Sequence, residues 1–350
     1  MCADQSDDYS ISVDVNFHDV TEREKILAKR NHYNPCFWTA YWNPDYYRAA
    51  ISDTCRTCKP RTQQVHALSI MADKIFETNV DSIHFDRLGG VGKLSGESLE
   101  DFVRRARPDR VDQFLKYHDP EEYEISFDPE ELLTKIEATP PYEVLRQVIR
   151  QRGIQSRMVK SNIGCFVVLQ WLRSHAIMNA MLEWHAELGH NKFEHFYTLH
   201  SLLKNCEALA TLALPLVACR WTLFKSASDE FPLCDSPILS QQHPQSIMVA
   251  LSPRLLLEIQ PQIRRASDAR VVSRKSTRSK MAEFRRRTIG NTFREIIFGD
   301  RDVLEYWQKT PEFRRRVSLR KNFQNYNRLV QVEASKGLSE LWQINAYGSQ

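Results

Sequence analysis

Between Asp128 and Leu188 apolar side chains recur at helical spacing, and beyond Val217 that texture gives way to short β-prone runs. A period of 3.6 cannot serve a strand, and a period of 2 cannot serve a helix, so this switch constrains the fold more than any other feature. Ile163, Phe166, Val167, Gln170, Ser174, Ile177 and Met178 define one helical face, which predicts a core helix over about Ser156–Leu188 and points Gln170 where its apolar neighbours point. Pro140-Pro141 divides the helical stretch and starts a helix of its own, since Pro is tolerated in a first turn. A further helix, Lys192–Leu214, is predicted to end near Pro215. Strands are predicted over Val217–Lys225, Phe231–Leu239, Ile247–Leu251 and Leu255–Ile259.

Upstream, residues 64–71, 74–77 and 79–85 alternate and are bounded by Asp, Asn and Gly, which predicts a small antiparallel meander. Downstream of Pro261 a helix is predicted over roughly Ser279–Phe298. The class that follows is α+β and predominantly helical, with an N-terminal β-meander and a short antiparallel β-layer around 217–260. Residues 1–30 read as an acidic N-terminal tail, with a short polar helix over Thr21–Arg30. Residues 31–300 read as the main domain, with its meander at 64–85 and its helical core at 98–214. Residues 261–350 read as a basic helical region packing on that domain. Ser98, with Glu100 and Asp101 behind it, is the expected start of helical structure in the core.

The charge is uneven. Residues 1–140 hold 26 acidic and 17 basic residues, whereas residues 261–330 hold 19 basic and 7 acidic ones. The longest apolar stretch, Ala208–Cys219, is broken by Thr211 and Pro215 and is far below the roughly 20 residues of a membrane span. The acidic opening MCADQSDDYSISVDVNF lacks a signal-peptide pattern, and the eight cysteines form no dense framework. A cytoplasmic protein with no membrane partner is expected. No GxxxxGK[ST], GxGxxG or GxSxG motif is present.

Four short blocks carry a resemblance. His32-Tyr33-Asn34-Pro35 is followed by Phe37 and Trp38. Leu169-Gln170-Trp171-Leu172-Arg173 lies on the core helix. Trp221 precedes Cys234-Asp235-Ser236-Pro237, and Leu251-Ser252-Pro253 follows, with Asn291 further on. In this order they resemble the HYxP, LQxxR, SDxP and LSP blocks and the later helical Asn of the bacterial domain-of-unknown-function family numbered 4238, over roughly residues 30–300. Cys234 stands where that family usually has Ser. The family has no assigned reaction, so the resemblance supplies positions and no chemistry.

The polar residues of these blocks are His32, Gln170, Arg173 and Asp235. Gln170 and Arg173 are three apart on a helix and share a face. As a site, His32 carries a proton, Gln170 positions, Arg173 clamps an anion, and Asp235 holds a metal or orients the His. As a buried network, the same groups tie the N-terminal segment to the core helix and the strand layer, with Arg173–Asp235 as an ion pair. A metal-nuclease variant uses Asp235 with Glu258-Ile259-Gln260, and Glu137 as an upstream carboxylate; such oxygen ligands suit Mg2+ or Mn2+.

Cys55-Arg56-Thr57-Cys58 is a lone CxxC. With Cys36 and His66 it offers four ligands of the chemical type that zinc takes, although no second CxxC exists and the alternative is a loop with two thiols. Arg285, Arg286 and Arg287, with Arg314–Arg316 and interleaved aromatics, suggest a polyanion such as nucleic acid bound through residues 261–330. Three consecutive helical arginines splay over about 200°, so pairing with acidic residues elsewhere is the competing reading. Phe37, Trp38, Tyr41, Trp42, Tyr46 and Tyr47 read as one apolar face docking on a core. Two functional classes follow. One is a hydrolase acting on a phosphate-bearing substrate, metal-dependent or a nuclease in one form. The other is a non-enzymatic binding or scaffold protein whose polar cluster is structural.

Overall fold

The computed structural model describes residues 31–32, 34–52, 59–86, 112, 129–174, 206–242, 245–260 and 271–320. The acidic tail, the Thr21–Arg30 and Ser98 helix starts, the second half of the expected core helix and residues 321–350 lie outside these. Within them the fold is α+β: helices together with a five-stranded sheet, a four-stranded sheet and a two-stranded pair.

The aromatic run opens the described chain after β1 (Asn31–His32), which pairs with β4 (Phe85–Asp86). Helix α1 (Cys36–Thr39) and the 3-10 turn Ala40–Trp42 are buried throughout, and α2 (Pro44–Ile51) follows, capped by the Asn43 side chain on the Tyr46 amide. Trp38 and Trp42 are large and fully enclosed, so each indole N–H needs a partner. Trp38 donates to the Leu251 carbonyl at 2.9 Å and Trp42 to the Phe231 carbonyl at 2.7 Å. The run is therefore core, with Trp38 edge-on to Phe166 of the central helix at 5.2 Å.

Helix α3 (Pro129–Glu137) leads to α4 (Pro140–Gln151), which starts at the proline pair. Tyr142, Leu145, Val148 and Ile149 form its buried stripe. Helix α5 (Arg157–Leu172) is capped by Ser156, whose hydroxyl accepts the Val159 amide. Ten of its sixteen residues are buried, including the unbroken run Ile163–Trp171. A helix apolar on nearly all sides belongs in the centre of a domain, and α5 packs against both α4 and α6 (Cys206–Ala218). Gly164 allows the close α5–α6 approach: a Cβ there would sit 3.0 Å from Val217 Cγ2. Helix α6 does not stop at Pro215. It runs one turn further to Ala218, because a proline near a helix end forfeits a single hydrogen bond while the last turn stays packed.

Strands β5 (Arg220–Lys225), β7 (Leu239–Gln242), β8 (Gln245–Ser252) and β9 (Leu255–Gln260) form an antiparallel layer, and β10 (Val272–Lys275) joins β5 in parallel. The order across this five-stranded sheet is β10-β5-β9-β8-β7. The antiparallel layer falls where the sequence places it, but the expected strand over Phe231–Leu239 divides into β6 (Leu233–Cys234) and β7, and each joins a different sheet.

The second sheet holds β6 and the expected N-terminal hairpin, β2 (Gln64–Ser69) with β3 (Lys74–Asn79). The third meander strand is instead a 3-10 turn, Val80–Ser82, followed by β4. The long helix expected over Ser279–Phe298 ends early. Helix α7 spans Arg278–Asn291, and Glu295–Phe298 forms β11, antiparallel to both β2 and β6. The sheet order is β3-β2-β11-β6. Ile296-Ile297-Phe298 favours a strand by its side chains, but four residues are too few for periodicity to announce one. Helices α8 (Arg301–Gln308) and α9 (Pro311–Arg320) close the described chain. Strand β11 thus places a segment from the basic region inside the N-terminal sheet.

Candidate functional site: a buried amide chain and the cleft at its end

Asn34 is 1 % exposed, and both ends of its amide are engaged. Its Nδ2 donates to the Cys234 carbonyl at 2.8 Å and lies 2.9 Å from His84 Nδ1. Its Oδ1 accepts from Gln170 Nε2 at 2.9 Å. Because Nδ2 can only donate, His84 Nδ1 accepts, which leaves the ring Nε2–H to donate to the Glu295 carbonyl at 3.3 Å. One residue from the HYNP segment therefore ties together the core helix, the CDSP segment and, through His84, β11.

The chain of contacts continues along α5. Tyr142 OH donates to Gln170 Oε1 at 3.4 Å, and Arg173 NH1 reaches Tyr142 OH at 3.5 Å. Arg173 NH2 pairs with Glu137 Oε1 at 3.0 Å. Burial opposes the Arg173 charge, but Tyr142 and Glu137 outweigh it and shift the guanidinium upward. Burial also pushes the Tyr142 phenol up to about 12, so it stays a neutral donor. Arg173 sits at the C-terminal cap of α5, where a cation complements the helix dipole.

Asp235 has a different task. Its two carboxylate oxygens accept the amides of Phe293 at 3.0 Å and Arg294 at 2.6 Å, fixing the connection from α7 into β11. It is wholly buried, and burial lifts its acid to about 6 against the pull of those two amides. Arg173 and Asp235 do not form the ion pair expected of them: the guanidinium takes Glu137 and the carboxylate takes backbone. The His32 backbone pairs with Phe85; its side chain lies outside the described residues.

Gln170, Arg173 and Asp235 are each 0 % exposed, so three of the four residues singled out from the sequence are sealed from water. An open cleft of about 480 Å3 lies at the Arg173 end of the chain. Lys59, Arg61, Arg146 and Glu137 contribute to its walls together with Arg173, and Phe37 and Leu133 supply apolar surface. The Arg146 guanidinium stacks on the Phe37 ring, 3.7 Å from its centroid. Glu137 is the partly exposed member of its ion pair, with 26 % of its side chain open against none for Arg173. Cations thus outnumber carboxylates in a concave, partly apolar space, an arrangement suited to an anionic group on a small molecule.

The carboxylates considered for Mg2+ or Mn2+ are held apart. Glu137 is bound to Arg173, Asp235 to backbone amides, and Glu258 to Lys280 Nζ at 2.9 Å and Gln260 at 3.3 Å. Among the described residues no group of three or more His, Cys, Asp or Glu side chains lies close enough to hold a metal ion. For zinc, Cys55 and Cys58 lie outside the described residues. Cys36 is buried on α1 and His66 lies on β2.

The arginine triplet splays as its spacing requires. Arg285 reaches Tyr306 OH at 3.0 Å and Glu312 at 3.7 Å. Arg287 is buried on Ser246 and Glu283, and of the three only Arg286 is exposed. Arg314 pairs with Asp73 at 3.0 Å, a contact to the acidic third of the chain, whereas Arg285, Arg287 and Arg301 take their acidic partners from the basic segment itself.

Sequence reasoning missed Asn34, His84 and Tyr142. Asn34 lies inside the HYNP block, but nothing local distinguishes a hub amide from a turn residue. Tyr142 reads as one more residue of an apolar stripe. Among the described residues no helix is long and apolar enough to cross a membrane. Comparison with protein-family models, curated proteins and solved structures gives no match.

Proposed function

We propose that this chain is a binding protein for a small phosphate-bearing ligand, taken up in the cleft beside Arg146, with the Asn34–Gln170–Tyr142–Arg173 chain as its buried support. The observation that carries this reading is the contrast in exposure: Gln170, Arg173 and Asp235 are sealed and bonded within the protein, while the adjacent cleft presents Lys59, Arg61 and Arg146. Buried groups bonded to one another fix geometry; accessible cations in a concavity recruit anions. Calorimetric titration with inorganic phosphate and with phenyl phosphate tests it, the second probe adding a ring for the Phe37 and Leu133 wall. Saturable binding of phenyl phosphate, weakened about tenfold by Arg146→Ala, is expected. No binding of either probe, or binding indifferent to Arg146→Ala, rejects it.

Hydrolysis of such a ligand is the second reading. What favours it is Glu137, a partly exposed carboxylate in the same cleft held at 3.0 Å by Arg173. Release of phenol from phenyl phosphate, abolished by Glu137→Gln, separates an enzyme from a binding protein. The resemblance to the family numbered 4238 supports the importance of the four blocks without choosing between the two.

A further inference from the structure

A second cleft, of about 590 Å3, opens beside the five-stranded sheet. It lies at the carboxyl ends of β5 and β10, the one parallel pair among the described strands. Lys225 and Lys275, the last residues of these strands, are directly paired in register and both line the cleft. Like charges set opposite each other across a strand pair repel. Arg274 lines it too, and none of these three cations makes an ion pair with a described residue.

A second observation is independent of charge. Three lining residues keep a buried polar atom without a hydrogen-bond partner: Arg152 Nε, Ser276 Oγ and Glu230 Oε2. A buried polar atom with no partner is costly to the fold, because it has given up its water and gained nothing in return. Arg152 is also held in the left-handed region, φ 51°, which a non-glycine residue enters at a cost, and its guanidinium is pinned to the Ser226 carbonyl at 2.6 Å. Glu230 Oε1 accepts from Ser228 at 3.3 Å, so its other oxygen is left to seek a donor.

We infer that this cleft is a site for a small phosphate monoester that also carries an ammonium or hydroxyl group. The phosphate takes the paired lysines, with Ser276 Oγ and Arg152 Nε as further donors; Arg274, one residue earlier on β10, leaves the opposite face and adds only its field. The ligand's own donor takes Glu230 Oε2, because a carboxylate oxygen can only accept. A bare anion leaves Glu230 unmatched, and a long polyanion has no use for a single recessed acceptor. The inference does not rest on the first cleft.

O-phosphoethanolamine and ethyl phosphate test it, since both are phosphate monoesters and only the first bears a donor. Titrations followed by amide chemical shifts on the full chain use wild type, Lys225→Ala/Lys275→Ala, Glu230→Gln and Arg146→Ala, with each variant's fold checked by circular dichroism. Saturable shifts around Lys225 and Ser276 are expected, with O-phosphoethanolamine binding about tenfold more tightly than ethyl phosphate. The lysine double variant loses both probes, and Glu230→Gln loses the preference between them. Arg146→Ala leaves both titrations at this cleft unchanged, which separates this site from the first. Equal affinity for the two probes, no saturable shift in the millimolar range, or binding that survives the lysine double variant overturns the inference. If Lys225→Ala/Lys275→Ala unfolds the chain, Lys275→Ala alone, on an exposed edge strand, is expected to weaken both probes, and unchanged binding by it likewise overturns the assignment.

Discussion

Asn34 Oδ1 accepts a hydrogen bond from Gln170 Nε2 at 2.9 Å, across 136 residues of sequence and between two buried side chains. That bond joins the segment after β1 to the central helix. The contacts of Asn34 Nδ2 extend the junction to Cys234 and His84. Cutting it tests whether the sequence blocks serve stability or chemistry.

Replacing Asn34 by Ala takes a partner away from the Cys234 carbonyl, the Gln170 amide and His84 Nδ1. At about 1–3 kcal/mol for each stranded group, partly relieved by relaxation, a loss of about 3–5 kcal/mol is expected. Urea denaturation measures it through the midpoint, with the slope unchanged if unfolding stays two-state. A loss below about 1 kcal/mol would mean that the amide is dispensable.

Glu137→Gln takes the Glu137 carboxylate away from the buried Arg173 charge. A fully buried pair broken on one side costs about 3–5 kcal/mol, and the partial exposure of Glu137 reduces this to about 1–3 kcal/mol. Thermal melts of Glu137→Gln, Arg173→Met and the double variant form a cycle. The double variant is expected to be more stable than the single Glu137→Gln, because it removes the buried charge as well.

Asp235 gives the stability curve a particular sign. Burial raises its folded pKa to about 6, above the ordinary carboxylate value of 3.8. Between those two values the folded chain holds more protons than the unfolded one, so this group's contribution falls as pH rises from about 4 to about 6 and is flat outside that window. Asp235→Asn should remove that segment of the pH dependence while lowering stability at neutral pH, since an amide cannot accept from both backbone N–H groups as a carboxylate does. Wild type minus variant, measured by chemical denaturation at several pH values, checks it. A difference that instead grows in favour of wild type from pH 4 to 6 means the two amides outweigh burial.

Gly299 and Gly290 make a controlled pair. A Cβ on Gly299 would lie 2.5 Å from the Trp42 carbonyl and 2.9 Å from the Pro44 ring, so Gly299→Ala forces the β11–α8 connection away from the aromatic run. A loss of about 1–3 kcal/mol is expected. Gly290, in α7, has nothing within 4 Å of such an atom, and Gly290→Ala should gain about 0.5–1 kcal/mol from helix propensity. Thermal melts that fail to separate the two variants would refute the close packing of the β11–α8 junction on Trp42 and Pro44.

The texture switch from helical to β-prone residues was enough to fix the α+β class and the position of the antiparallel layer, because period and composition are local properties. The same local evidence predicted the proline start of α4 and the splay of the three arginines. It failed at β11, where four residues carry too little periodicity, and at Pro215, where packing retained a turn that propensity would end.

At the candidate site the division follows the same physics. Residues 34, 170 and 235 lie within blocks that stand out in the sequence, and their polarity among apolar neighbours is legible there. Whether those groups face water is not, because exposure depends on what other segments bring: Tyr142 from α4, His84 from the approach to β4, Phe293 and Arg294 from the approach to β11. Hydrogen-bond satisfaction is a property of a pair of groups, and when the partners are 28 to 200 residues away only the folded chain can supply them.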